Sequence, residues 1–334
     1  MSIMKINELS KTYLTHERGS SFLDSLKSLV KRKIIEVKAL KGISFNVEEG
    51  EMLGLLGPNG AGKSTTLKIL TGVLYPTSGE AEIMGFVPWL KRKQYVARIG
   101  AVFGQKSQLI WDIPPLDSFE MNRVIYDIPG QLYKERLGRM VELLEVGGHI
   151  KKPTRQLSLG ERMKCEFIMA MLHDPKVVFL DEPTIGLDVI AKERIRGFIQ
   201  EMNRKGTTFV LTTHDLDDVE QLARRVIVIN SGEIVYDDNM DALCRFFGNR
   251  KLVSLATLRP LPDFDRIPGV FLKSKSTPHN AELELDTDML ELNQFIKLMN
   301  DDYIISDLAM SPPQIESVIK ELYINTNKLK EEKA

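Results

Sequence analysis

Short apolar runs with strand character, IMKINEL, GISFNV, EMLGLLG and GEAEIMG, succeed one another from about Met4 to Phe86. One helical stretch, opening after Gly62, interrupts them. From about Pro114 to Leu172 the spacing of apolar positions turns helical, as in LYKERLGRMVELLEV and GERMKCEFIMAML. Solid apolar strands then alternate with helices: KVVFL, AKERIRGFIQEMNRK, TTFVLTT, LDDVEQLA and RVIVI. Strands that are apolar throughout, separated by helices, predict a parallel sheet covered on both faces, with the central helical stretch as a subdomain of its own.

The pattern breaks between Cys244 and Arg250. Beyond it ELELDT alternates as a half-buried strand, MLELNQFIKLMN is an amphipathic helix and DYIISDLAM a strand. SPPQIESVIKELY reads as a helix with Ser311 as N-cap and proline in its first turn. The expected organisation is a first domain over 1–245, with a helical subdomain at about 106–172 and an insertion at about 16–38. A small α+β domain over 250–324 and a polar tail over 325–334 complete it.

At 334 residues the chain accommodates one large and one small domain. A formal net charge of −1 provides no overall attraction to nucleic acid, which is not an expected partner. Cys165 and Cys244 have neither metal-ligand nor CxxC spacing and suit a reducing compartment. No run approaches the roughly 18 to 20 apolar residues that span a bilayer, so any membrane part is expected from another chain.

Candidate chemistry concentrates at three strand ends. GPNGAGKST, comprising Gly57, Pro58, Asn59, Gly60, Ala61, Gly62, Lys63, Ser64 and Thr65, lies between an apolar strand and a helix. Its glycines allow successive backbone N–H groups and a helix N-terminus to face phosphates, with Lys63 reaching the β- and γ-phosphates and Ser64 coordinating Mg2+. The strand Val177 to Leu180 ends in Asp181, suited to the metal shell, and Glu182, suited to polarising an attacking water. TTHD places His214 at a third strand end, where an imidazole reaches a γ-phosphate or caps the next helix. His173, in a loop before Pro175, is expected to be structural. LSLGE, a polar turn at Ser158 to Glu161 before a helix, has no local chemical partner.

GPNGAGKST, the glutamine of AVFGQKSQL, LSLGE, FLDEPT, GLD and TTHD occur in that order. Over residues 1 to about 245 this set resembles the nucleotide-binding subunit of an ABC transporter. The resemblance implies a P-loop cassette: a mostly parallel RecA-like sheet, an antiparallel β subdomain and a helical subdomain. It implies ATP and Mg2+, with Gln105 approaching metal and water, Asp188 at a dimer interface, and Tyr13 stacking on adenine although an insertion separates it from the cradle. Ser158 and Gly160 would contact the ATP of a second ATP-binding subunit, the same chain or a related one. LSLGE departs from the common Leu-Ser-Gly-Gly-Gln at Leu159 and Glu161. An acid there is expected to point away from phosphate, toward Arg155 or Arg162.

PTSGEAEIMGF and the core layout resemble the bacterial ABC-2 export class, and the long run after Gln105 with PTRQLSLGERMKCEF resembles its viologen or multidrug subgroup. This resemblance implies a separate ABC-2 type permease, a hydrophobic or amphipathic cargo and a place at the cytoplasmic face of the membrane. An ABC ATPase acting as a regulatory switch, or a transporter of other direction, are the alternatives. SSFLDSLKSLVKRK sets apolar residues on one helical face beside Lys31, Arg32 and Lys33, which suits either a membrane surface or packing on its own domain.

Overall fold

A computed structural model describes residues 2–16, 34–104, 106–213, 216–240, 242–243 and 250–311. The chain divides into two compact units, Met1–Asp237 and Asp238–Ala334.

In the first unit, β1 (Ser2–His16), β2 (Ile34–Glu48) and β4 (Ser78–Ile83) form an antiparallel sheet in the order β2-β1-β4. The main sheet has the order β5-β6-β7-β3-β8-β9, from β3 (Met52–Leu56), β5 (Ile99–Phe103), β6 (Val177–Asp181), β7 (Thr208–Thr213), β8 (Arg225–Asn230) and β9 (Glu233–Asn239). Its β3, β5, β6, β7 and β8 pair in parallel. The α/β class expected from the alternating pattern is the one observed. Val177, Val178, Phe179 and Leu180 have no exposed surface. Fully burying an aliphatic side chain contributes roughly 1.5–3 kcal/mol, so such strands hold the centre of the sheet.

The helices are α1 (Lys63–Leu70), α2 (Arg92–Val96), α3 (Pro115–Ile125), α4 (Gly130–Leu144), α5 (Leu159–Met171), α6 (Val189–Arg204) and α7 (Leu216–Leu222). Helix α5 packs on β5 and on α3, α4 and α6. The side chain of Phe167 on α5 meets Phe198 on α6 edge-on, ring centroids 5.9 Å apart.

The insertion is narrower than 16–38. Strand β1 runs to His16, β2 starts at Ile34, and the register pairs His16 with Ile34 and Thr15 with Ile35. Residues 34–38 are therefore β2 backbone, and the basic helix expected near 20–33 lies outside the described residues.

In the second unit β10 (Arg250–Thr257), β11 (Val270–Thr277), β12 (Asn280–Asp286) and β13 (Ile305–Ser311) form an antiparallel sheet in the order β11-β12-β10-β13. Helix α8 (Leu292–Tyr303) seals one face of this unit with the buried Phe295 and Met299. Strands β10 and β11 are not legible in the hydropathy pattern. The helix expected after Ser311 lies outside the described residues, and Ser311 itself ends β13.

Candidate functional site

Strand β7 lies between β3 and β6, and the parallel register sets Leu56 beside Thr213 and Asp181 beside Thr212. The carboxyl ends of β3, β6 and β7 thus lie side by side at one edge of the sheet, where open α/β folds bind ligands.

The loop after β3 turns into α1 through Gly62, whose φ is 116°. A Cβ on Gly62 would stand 2.7 Å from the Ala39 carbonyl oxygen, so both the left-handed backbone and the crowding require glycine. Helix α1 has no side-chain cap at its N-terminus and no acidic residue in its first turn. Its first N–H groups and the positive end of its dipole therefore suit an anion. Asn59 and Gly60 are exposed, Pro58, Ser64 and Thr65 half-buried, and Gly57, Ala61 and Lys63 buried. The Lys63 ammonium donates to the carbonyls of Gly57, at 2.6 Å, and Pro58, at 3.1 Å, and so lies against the backbone of the loop.

The Ser64 hydroxyl donates to Asp181 Oδ1 at 3.0 Å, and Thr212 Oγ1 donates to the same oxygen at 2.6 Å. A hydroxyl and a carboxylate, both hard oxygen donors, fit Mg2+. Thr212 escapes the reading of the sequence; the only signal is its place in TTHD. Glu182 has φ 52°, rare for a residue with a side chain, and its N–H donates to Thr212 O at 2.9 Å. Such a conformation costs on the order of 1–3 kcal/mol and persists only where neighbours impose it. Gly104 helps to impose it: its N–H donates to Asp181 O at 2.8 Å, and a Cβ there would stand 2.3 Å from Glu182 O.

A cavity of about 770 Å³ opens here, with Asn59, Ser64, Asp181, Glu182, Gly104 and Lys106 among its walls. Gln105 and His214 lie outside the described residues, although Gly104 and Lys106, which flank Gln105, both line the cavity. The turn from Leu157 to Glu161 is not among the described walls.

That turn is a helix start. Ser158 is the N-cap of α5, its hydroxyl accepting from the Glu161 N–H at 3.3 Å while the Glu161 carboxylate accepts from the Ser158 N–H at 2.8 Å. The expectation that Glu161 turns toward Arg155 or Arg162 is corrected: its other partner is His149, with Nδ1 at 3.0 Å. Burial alone would raise the Glu161 carboxyl, but the bonds with Ser158 and the charges of His149 and Lys152 outweigh it and hold the group below the ordinary range. Arg155 pairs instead with Asp112, at 2.6 Å, and Arg162 lies over the Trp111 ring. Gly160 packs close to α6: a Cβ on it would stand 3.0 Å from Ala191 Cβ. Asp188 caps α6, accepting from the Ala191 N–H at 2.8 Å.

Tyr13 sits half-buried on β1 opposite Val37, and Val37 lies two residues from Ala39, whose carbonyl crowds Gly62. The β1–β2 register thus closes the gap that the insertion opens in sequence. His173 is half-buried, bonded to Ile99 O at 2.8 Å and stacked on Tyr126.

The ABC transporter family profile matches residues 40–185. The Bacillus subtilis ABC transporter ATP-binding protein NatA is 30% identical over 213 residues, 64% of this chain and 86% of that protein. The probable multidrug ABC transporter ATP-binding protein YbhF of Escherichia coli is 33% identical over 214 residues, 64% of this chain and 36% of that protein. Among solved structures, the dimeric post-hydrolysis state of the ATP-binding cassette MJ0796 bound to ADP and Pi superposes with a TM-score of 0.59 at 26% identity, covering 71% of this chain and 98% of that one.

Proposed function

Because this chain belongs to the family of ABC transporter ATP-binding proteins, we propose that it powers export of a hydrophobic or amphipathic compound through a separate ABC-2 type permease. As an ATPase of that family, it binds ATP and hydrolyses it. The observation that carries the site assignment is the convergence of Ser64, Asp181 and Glu182 on one cavity beside the phosphate loop.

In this reading Lys63 and the N-terminus of α1 hold the phosphates. Ser64 and Asp181 would hold Mg2+, which would supply positive charge beside the phosphates. Glu182, fixed at its strained backbone, orients the attacking water and takes up its proton; Gln105 and His214 complete the shell around water and γ-phosphate. Tyr13 stacks on adenine. Ser158 and Gly160 serve the ATP of a second subunit and Asp188 faces the interface. The cargo class rests on the sequence resemblance and on the multidrug name of the Escherichia coli relative, the ABC-2 partnership on the sequence resemblance alone. The protein would then act at the cytoplasmic face of the membrane, held there by the permease and by the basic segment near 20–33.

Glu182→Gln preserves nucleotide binding and removes the base, so it should accumulate as an ATP-bound dimer in size-exclusion chromatography. A variant that stays monomeric at saturating ATP would refute the dimer mechanism. For export, the membrane subunit that co-purifies with the full chain should be an ABC-2 type permease, and recovery of an importer would overturn that part. Loss of membrane association on replacing Lys31, Arg32 and Lys33 with glutamate would support contact through the basic segment; unchanged association would remove it.

A further inference from the structure

Glu166 is 3% exposed, on a face of α5 that otherwise buries Met163, Phe167 and Ala170. Among the described residues no lysine or arginine bonds to it. Its carboxylate instead accepts the Ser107 hydroxyl, the Gln108 N–H at 3.0 and 3.1 Å, and the Leu109 N–H at the limit of 3.5 Å. Burial pushes the group above the ordinary carboxylate range, and those bonds, with the charge of Arg162 one turn back, pull it only part way down. A buried carboxylate without a cation is expensive, and an apolar residue would pack this face at less cost. Its use lies in the segment it grips.

That segment begins two residues after Gln105 and is stitched along its length to the stretch that carries Ser158. Thr154 N–H and hydroxyl both donate to Ile113 O at 3.0 Å, and Arg155 N–H donates to Trp111 O at 3.0 Å. Arg155 also pairs with Asp112, and Arg162 covers Trp111. Glu166 closes this series at the end nearest Gln105. Removing it would leave the Gln108 N–H without its acceptor, and the Leu109 N–H with only the Ser107 hydroxyl oxygen at 3.2 Å, while the other contacts remained.

We propose that Glu166 is a positioning residue that fixes the segment after Gln105 to the helix capped by Ser158, so that the glutamine serving one ATP and the serine serving the other respond together. The proposal rests on the roles assigned above to Gln105 and Ser158.

The test uses the full chain with Glu166→Gln or Ser107→Ala, each introduced into native and Glu182→Gln backgrounds. Gln retains the shape but places an amide donor against backbone N–H groups; Ser107→Ala removes one donor, and carries the same test should Glu166→Gln not fold. Binding of a fluorescent ATP analogue to the monomer should stay within about twofold, because the phosphate loop is untouched. The protein concentration needed for ATP-dependent dimerisation should rise about tenfold, the scale of one hydrogen bond to a charged group, and kcat should fall with KM unchanged. Parallel loss of analogue binding and dimerisation would mark Glu166 as merely structural and overturn the proposal, as would unchanged dimerisation in both variants. Failure of Glu182→Gln alone to dimerise would instead strike the function on which the proposal rests.

Discussion

The Ser64 hydroxyl donates to Asp181 Oδ1 across 3.0 Å although 117 residues separate them in the chain. Thr212, fully buried on the intervening strand, donates to the same oxygen. Two hydroxyls thereby aim one carboxylate, and only one of the two is exposed enough to exchange its bond for a metal ion.

Thr212→Val keeps the volume and removes the second donor. The Mg2+ concentration for half-maximal ATPase activity should rise about tenfold or more, since a hydrogen bond to a charged group contributes about 1.5–3 kcal/mol. Metal titration of the ATPase rate checks this, and an unchanged midpoint would show that Thr212 does not orient Asp181.

Glu161→Ala removes the side-chain half of the reciprocal bonding with Ser158 and the contact with His149, and should cost about 0.5–2 kcal/mol of stability. Because the folded carboxyl is held below its unfolded value, its contribution is present above the unfolded carboxylate range and is lost as pH falls through the folded value. Denaturation curves of the native protein and of Glu161→Ala should therefore differ most near neutrality and converge in acid. Leu159→Gly with Glu161→Gln, which retains a side chain able to accept at the same place, should alter the ATPase rate without abolishing it.

Asp218 is 1% exposed and holds Arg196 of α6 and the Thr184 hydroxyl, which follows Glu182 by two residues. Asp218→Asn leaves a nearly buried guanidinium without its counter-charge. Breaking such a pair costs on the order of 3 kcal/mol or more, a loss that differential scanning calorimetry would show as a drop of several degrees in Tm. A Tm within a degree or so of native would mean that the pair contributes no net stability.

In the second unit Glu284 on β12 bonds Arg250 on β10 at 2.9 Å and Lys273 on β11 at 2.5 Å, spanning three neighbouring strands. Burial would raise this carboxyl, but the two cations win and lower it. Its stabilisation is thus present above the unfolded carboxylate range and disappears as pH falls through the lowered value. Glu284→Gln should weaken the sheet at about pH 7 and matter progressively less below about pH 4. Hydrogen exchange of the β12 amides in native and variant protein, compared at matched pH, would reveal it.

Legibility follows contiguity. The phosphate loop and the Asp181–Glu182 strand end are unbroken strings whose chemistry depends on their immediate neighbours, and both are readable. Ser158 is readable as a signature position, but the partners expected for Glu161 are the wrong ones: its preference for the Ser158 N–H is local, whereas His149 comes from a loop twelve residues away. Strand β11 escapes because most of it is exposed at a sheet edge, so little apolar alternation marks it. Glu166 carries no signal, since one acid among apolar helical positions looks like a surface residue.

By itself the sequence determined the α/β class, the ordered motifs and the phosphate loop, because apolar periodicity and glycine placement act over a few residues. Tertiary structure alone decided which distant groups meet. The parallel register carries Thr212 to Asp181, the β1–β2 register returns Tyr13 to the neighbourhood of Gly62, and the packing of α5 delivers Glu166 to the segment after Gln105. Those meetings depend on burial and strand pairing across tens of residues or more, where no local pattern constrains the partner.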